Sequence, residues 1–268
     1  MNIKELKERA KKIRKNIITT VEGAGSGHIG GSLSCVEILI SLYSRILKYD
    51  PKNPLSENRD RLVISKGHAS PAVYSVLASF GFFPEEELKT YRKINSRLQG
   101  HVFSGVPGVE FSTGSLGQGL SYANGIALGV KLLNAGFKTY CLLGDGEVQE
   151  GQIWEAAMTA LQHKLDNLCA IIDYNKIQEN DFVENIKNEE PLQKKWEDFG
   201  WNVLRVNGHD FNELFAAFDI FNKTTQKPTL IIADTVKGKG ISFMENKHIW
   251  HAKIMSQDEF GKALKELE

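Results

Sequence analysis

The sequence holds only three cysteines, Cys35, Cys141 and Cys169, and no CxxC pair. That argues against a disulfide framework and a thiolate metal site. Cys141 and Cys169 sit inside apolar, strand-like runs, where cysteine behaves as a small buried hydrophobe. A reduced, cytoplasmic chain is expected. Net charge is absent as well: 33 Lys and Arg balance 33 Asp and Glu. No global field draws nucleic acid or an anionic membrane, so any anion site must be local. No apolar run approaches the roughly 18–20 residues of a membrane span. The charged, helical N-terminus has no apolar segment of the signal-peptide kind. There is no GxxxxGK[ST] loop. Gly25 to Gly30 matches GxGxxG, but it follows a helical pattern rather than a strand, so the dinucleotide context fails.

What is present is ordinary in composition, with 41% hydrophobic and 25% charged residues in 268. That length suffices for one large domain with a full core. Ile3, Leu6, Ala10, Ile13, Ile17 and Val21 recur at spacings of three and four, which predicts an amphipathic helix with a solvated basic face. Glycine-rich Gly23 to Ser34 breaks it. Helices are expected at Cys35–Leu47, Pro71–Phe80 and Glu85–Ile94, a short strand at Arg61–Ser65, and a long loop from Asn95 to Thr113. Strands over 139–143, 168–173, 201–206 and 229–234 then alternate with helices over 115–134, 151–163, 191–199 and 211–222. The predicted fold class is α/β, a parallel sheet with helices on both faces. No repeat, low-complexity tract or linker divides it, so a single domain over 1–268 is expected.

In such sheets ligands collect outside the carboxyl ends of the strands. Asp145, in Gly144-Asp145-Gly146, follows one strand, and Asn175 ends the next. They bring a carboxylate and an amide oxygen to two adjacent strand ends. Mg2+ prefers hard oxygen donors completed by phosphate oxygens and water. A carbonyl just beyond Asn175 could close the set, and the helix starting at 151 begins beside it. Taken singly, a Gly-Asp-Gly turn or a strand-ending Asn is commonplace; the pairing is what suggests a metal holding a diphosphate. Four of the seven histidines, His28, His68, His101 and His251, lie in glycine-rich or loop contexts, where imidazoles can bond ligand hydroxyls and move protons. His163, His209 and His248 carry no such signal and read as structural or exposed.

Gly144 to Ala156, with the 30-residue step from Asp145 to Asn175, resembles the thiamine diphosphate motif of transketolases. Ser26 to Ser34, Ser65 to Tyr74, Thr113 to Gly119 and Lys237 to Asn246 resemble segments of the same family in the same order. Coverage runs from about Asn16 to His251. The resemblance implies that Asp145 and Asn175 ligate Mg2+ (with Ca2+ or Mn2+ as substitutes) by side chain and Ile177 by its carbonyl. It implies that Gly144 and Gly146 border the diphosphate, that Gly114 and Leu116 border the aminopyrimidine, and that Glu150 lies in the subunit contact around the cofactor. His28, His68, His101 and His251 would line the channel where the sugar donor meets the thiazolium, with His68 and His251 also near the diphosphate. The implied activity moves a two-carbon ketol unit from a ketose or ketose phosphate to an aldose, as in the pentose phosphate pathway.

Nothing in the chain resembles the family's pyrimidine-binding domain, which supplies the glutamate that activates the cofactor and most contacts to the sugar phosphate. The expected protein is therefore the N-terminal subunit of a split transketolase, completed by a C-terminal partner in an α2β2 heterotetramer. A fragment of a longer chain is the alternative, and the predicted helix Gln257–Leu267 speaks mildly against it. Family members usually have Pro where Ile29 and Val102 stand and Gly where Ala252 stands, which leaves the sugar preference open. Two other readings remain: another thiamine diphosphate enzyme, similar to deoxyxylulose phosphate synthase or a 2-oxo acid dehydrogenase component, and a non-catalytic paralogue that kept the fold.

Overall fold

The computed structural model describes residues 1–268. Helix α1 (Ile3–Ala24) opens on a reciprocal cap between Asn2 and Glu5 and closes on left-handed Gly25. Its apolar stripe Leu6, Ala10, Ile13, Ile17 and Val21 is buried. The glycine-rich break is shorter than its composition suggests. Ile29–Ser34 forms a fully buried helix, α2. Gly30 leaves no room for a side chain, since a Cβ there would stand 2.6 Å from Trp250 O, while Gly31 packs beside the His68 ring. Helix α3 (Val36–Ser41) then runs into a π-helical turn, Leu42–Ile46, rather than one even helix.

Strand β1 (Arg61–Ile64) leads to α4 (Ser70–Ser79). The helix expected at Glu85–Ile94 is only a 3-10 turn, Glu85–Thr90. Tyr91 leaves helical geometry with ψ of 130° and turns inward, its hydroxyl 3.1 Å from Ser70 Oγ. Next come α5 (Gln118–Leu133), β2 (Thr139–Gly144), α6 (Gly151–Gln162) and β3 (Leu168–Tyr174). The loop expected after β3 is instead a two-residue hairpin, β4 (Ile177–Gln178) with β5 (Asp181–Phe182), followed by α7 (Val183–Lys187). Elements this short have no periodicity to read. Helices α8 (Leu192–Asp198) and α9 (Phe211–Phe221) flank β6 (Asn202–Asn207), β7 (Thr229–Asp234) follows, and α10 (Gln257–Glu266) ends the series.

The five long strands form one parallel sheet in the order β1-β2-β3-β7-β6. Its side chains alternate between two cores, as a pleated strand requires. Tyr140, Leu142, Cys169, Ile171 and Ile231 face one core with α1 to α4 and α9. Cys141, Leu143, Ala170, Ile172 and Ile232 face the other with α5, α6 and α8. Every residue of β2 and β3 is buried, which explains their unbroken apolar runs. All three cysteines are free and buried. No helix is long and apolar enough to cross a membrane.

Candidate active site

Strands β2 and β3 pair in register, Gly144 opposite Asp173, so the turn after β2 and the bend after β3 emerge side by side. Asp145 caps the 3-10 turn Gly146–Gln149: Oδ1 accepts from Gly146 N at 2.8 Å, and Oδ2 accepts from Lys176 N at 2.5 Å. Lys176 holds a left-handed φ of 68°, an unusual conformation for a lysine, and turns the chain from β3 toward β4. Asn175 Oδ1 accepts from Ile177 N at 3.2 Å, and its Nδ2 donates to Asp173 Oδ2 at 3.4 Å. The bend is thus fixed by side chains of the residues that occupy it.

Asp145 is buried, and no lysine or arginine side chain bonds it directly. Burial, then repulsion from Asp173, pushes its carboxyl up to about 6. Asp173 is held low: burial opposes ionisation, but the contacting Lys66 ammonium outweighs it. Lys66 also donates to Gly31 O at 3.1 Å. The second ammonium, Lys237, donates to Ile177 O at 3.0 Å and approaches His251 Nδ1 at 2.8 Å. Burial draws it down to about 8.

Four imidazoles converge above this floor. The His28 ring centroid lies 5.4 Å from His68, 5.5 Å from His101 and 5.3 Å from His251, and His68 stacks on His251 at 5.7 Å. Burial, reinforced by neighbouring cations and imidazoles, lowers His28 to about 4, His251 to about 3 and His68 well below 6.5; burial and Arg92 also lower His101. All four are neutral at pH 7. A neutral ring can donate one hydrogen bond and accept another, which suits hydroxyl groups; His251 already meets Lys237 Nζ at Nδ1 (2.8 Å) and Glu179 Oε1 at Nε2 (3.1 Å). His28 Nδ1 is buried without a partner. His209 is structural: its Nδ1 meets Glu37 at 2.9 Å and its Nε2 accepts from Val236 N. His163 and His248 are exposed.

These groups share one cleft of about 330 Å³. His28, His68, His101, His251, Gly114, Leu116, Gly144, Asp145, Gly146, Glu150, Asn175 and Ile177 all line it. Every residue that the motifs singled out is brought there. Glu150, the N-cap of α6, lines the cleft, so that helix does begin beside it, although Gly151 itself does not line it. The cleft also gathers Gly31, Lys66, Glu147, Gln149, Gln178, Glu179 and Lys237. Lys66 and Lys237 stand inside the quoted motifs, but nothing in a linear pattern marks them as the buried cations of the floor. A larger hollow of about 550 Å³ on the outer side of α1 is lined by Lys4, Glu5, Glu8, Arg9 and Lys12 and has no comparable convergence.

The residues fit a divalent cation and a diphosphate. No three His, Cys, Asp or Glu side chains group as a metal cage. The donors are instead a buried carboxylate, an amide oxygen and a main-chain carbonyl, hard oxygens that suit a cation shared with phosphate. Burial disfavours the Asp145 carboxylate until a cation compensates it. At Gly146 a Cβ would stand 2.9 Å from Gln178 Cβ, so the turn tolerates only glycine at this approach.

Comparison with known proteins follows the same line. The sequence model of the family described as "Transketolase, thiamine diphosphate binding domain" matches residues 6–267. The chain is 41% identical to an apulose-4-phosphate transketolase subunit of Phocaeicola vulgatus, over 100% of this chain and 95% of that one. It is 43% identical to the 6-deoxy-6-sulfo-D-fructose transketolase subunit SqwG of Clostridium sp. (strain MSTE9), over 98% and 96%. The crystal structure of transketolase from Campylobacter jejuni superposes with a TM-score of 0.94 at 39% identity, covering 100% of this chain but 43% of that one.

Proposed function

This chain belongs to the transketolase family, as its thiamine diphosphate-binding domain, and from that premise we propose that it is the N-terminal subunit of a two-subunit transketolase. The observation that carries the reading is the single cleft. A potential metal floor and four neutral imidazoles meet in it, although their motifs are dispersed from Gly27 to His251. The relatives named as single transketolase subunits are matched nearly end to end, whereas the chain spans 43% of the longer Campylobacter protein. The rest of the site falls to a C-terminal partner subunit, in an α2β2 assembly with the cofactor between chains. The cleft mouth suits such a partner: His101, Leu116 and Glu150 are exposed there, and Phe111 stacks on Tyr122 at 4.6 Å nearby.

When bound, thiamine diphosphate supplies the carbanion chemistry that breaks and remakes a bond beside a ketose carbonyl. The chain's own part is to hold and orient. Asp145, Asn175 and the Ile177 carbonyl would hold Mg2+. Lys237, which lies against that carbonyl, and His68 would face the diphosphate. Gly114 and Leu116 form the rim for the aminopyrimidine. His28, His68, His101 and His251 would line the channel and hold the donor's hydroxyls. Most contacts to a sugar's phosphate would fall to the partner, as the family resemblance implies; on this chain Lys237 stands 2.8 Å from His251 Nδ1, and the charge of Arg92 reaches His28 and His101.

The donor remains the finer question. The two bacterial relatives are named for different sugars, apulose-4-phosphate and 6-deoxy-6-sulfo-D-fructose. Val102 N donates to Gly67 O at 3.0 Å, a bond that proline could not make, so the loop beside His101 is held differently from a Pro-bearing one. Ile29 is the first residue of α2, where proline would also fit the backbone. The test mixes the chain with its C-terminal partner, thiamine diphosphate and Mg2+, then assays ketol transfer from ordinary, branched and sulfonated ketoses. Turnover of ordinary ketose phosphates places the enzyme in the pentose phosphate pathway; preference for another donor places it elsewhere. Cofactor binding without turnover of any donor would sink the enzymatic reading. Asp145→Ala is expected to abolish Mg2+-dependent cofactor binding in a folded chain, and unchanged binding would show the metal assignment to be wrong.

A further inference from the structure

Glu147 is a carboxylate that the ketol-transfer reading does not use. It is 2% exposed, although it follows directly on the Gly144 to Gly146 turn. Oε1 accepts from Ser65 Oγ and from Gly117 N at 2.9 Å; Oε2 accepts from Gly144 N at 3.0 Å. Ser65 Oγ in turn accepts from Gly119 N at 3.1 Å. Helix α5 has no side-chain cap of its own, because Gly117 stands at its N-cap. Two amides at its start, Gly117 N and Gly119 N, are satisfied instead by Glu147 and Ser65, reaching in from the ends of β2 and β1. This is N-capping carried out across three loops, with an acid placed where the helix dipole favours it. The glycines fit the arrangement. A Cβ at Gly119 would lie 2.4 Å from Ser65 Cβ, and one at left-handed Gly117 would lie 2.8 Å from Glu150 Cβ.

We infer that Glu147, with Ser65, is a positioning residue that locks the Gly114–Leu116 rim of the cleft against the Asp145 turn. The inference rests on the function proposed above for what the lock serves, but the lock itself is a property of the chain alone. Gly114 and Leu116 lie just before the capped amides, and Asp145 lies between Gly144, whose amide Glu147 holds, and Glu147 itself. The two cleft edges therefore move only together while the carboxylate is in place.

The test compares the full chain with Glu147→Gln, Ser65→Ala and Val130→Ala. The amide side chain of Glu147→Gln presents an NH2 group to one of the amides that the carboxylate accepted, whereas Val130→Ala opens a cavity near the far end of α5. Hydrogen exchange is read over residues 113–120 and 143–147, and the Kd for thiamine diphosphate is measured with Mg2+. For Glu147→Gln we expect tenfold or faster exchange in both segments and at least tenfold weaker cofactor binding. Ser65→Ala, the fallback if Glu147→Gln does not fold, should free Gly119 and weaken binding less. Val130→Ala should lower the melting temperature yet leave Kd within twofold. Parent-like exchange in Glu147→Gln and Ser65→Ala would overturn the lock, as would equal effects from Val130→Ala. If the parent binds no thiamine diphosphate even with its C-terminal partner present, the proposed function fails, and the exchange data still decide the lock.

Discussion

Replacing Lys66 by Met removes one half of a buried ion pair beneath the cleft. Lys66 is 1% exposed and Asp173 is not exposed at all. After the substitution, Asp173 keeps Ser34 Oγ at 2.6 Å, the Thr235 hydroxyl and the more distant Asn175 amide, but no cation. Removing one partner of such a pair costs about 3–5 kcal/mol, because a charge stays buried without compensation. For a chain of this length about 1 kcal/mol moves Tm by roughly 2–4 °C, so a loss on the order of 10 °C is expected. The pH dependence should change sign locally. In the parent, Asp173 lies below its usual range, so its contribution is present at neutral pH and lost on acidification. In Lys66→Met, burial lifts the carboxyl instead, and stability should fall as pH rises through the new value. Urea unfolding of Lys66→Met, Asp173→Asn and the double variant measures this directly. The double should recover about 2 kcal/mol or more relative to the sum of the singles. A single-variant loss under about 1 kcal/mol, or additive behaviour in the double, would refute the argument.

Glu37 gives a second pH test. Burial alone would raise it, but bidentate Arg14 at 2.7 and 2.8 Å, with His209, holds it at about 2 against an ordinary 4.5. That linkage is worth roughly 3 kcal/mol above pH 4.5 and is lost as pH falls through about 2. Urea unfolding between about pH 5 and 3 should show it, and Glu37→Gln should lose the slope. At Gly67 a Cβ would stand 2.6 Å from the Thr113 backbone, which cannot rotate away. Gly67→Ala should therefore cost about 1–3 kcal/mol and weaken thiamine diphosphate binding by splaying the Thr113 side of the cleft; unchanged binding with unchanged Tm would contradict the close approach.

The parallel sheet was legible because β2 and β3 are buried on both faces and read as unbroken apolar runs between turn residues. The site was legible for a related reason. An open parallel sheet puts its strand ends together, so Asp145 and Asn175 could be paired from position alone. What escaped was everything that depends on contacts between distant segments. The π turn at Leu42–Ile46 and the hairpin at Ile177–Phe182 carry no period. Tyr91 ends its 3-10 turn by reaching Ser70, a choice made by tertiary packing over local propensity. The buried cations are the most instructive omission. Lys66 and Lys237 look like surface lysines in a glycine-rich line of text, and only the fold gives them Asp173, Gly31 and Ile177 as partners. Their placement follows from the electrostatics of the floor. Asp145 and Asp173 leave two adjacent strands within a buried volume, and both carboxylates could not stay ionised there unaided. Lys66 settles Asp173 for good. Asp145 is left at about 6, with only amides and the unbonded charges of Lys66 and Lys237 to compensate it. One acid is fixed by the fold, and the other would be free to take the proposed Mg2+. That division, rather than the presence of two acids, is what suits the strand ends to the proposed diphosphate site.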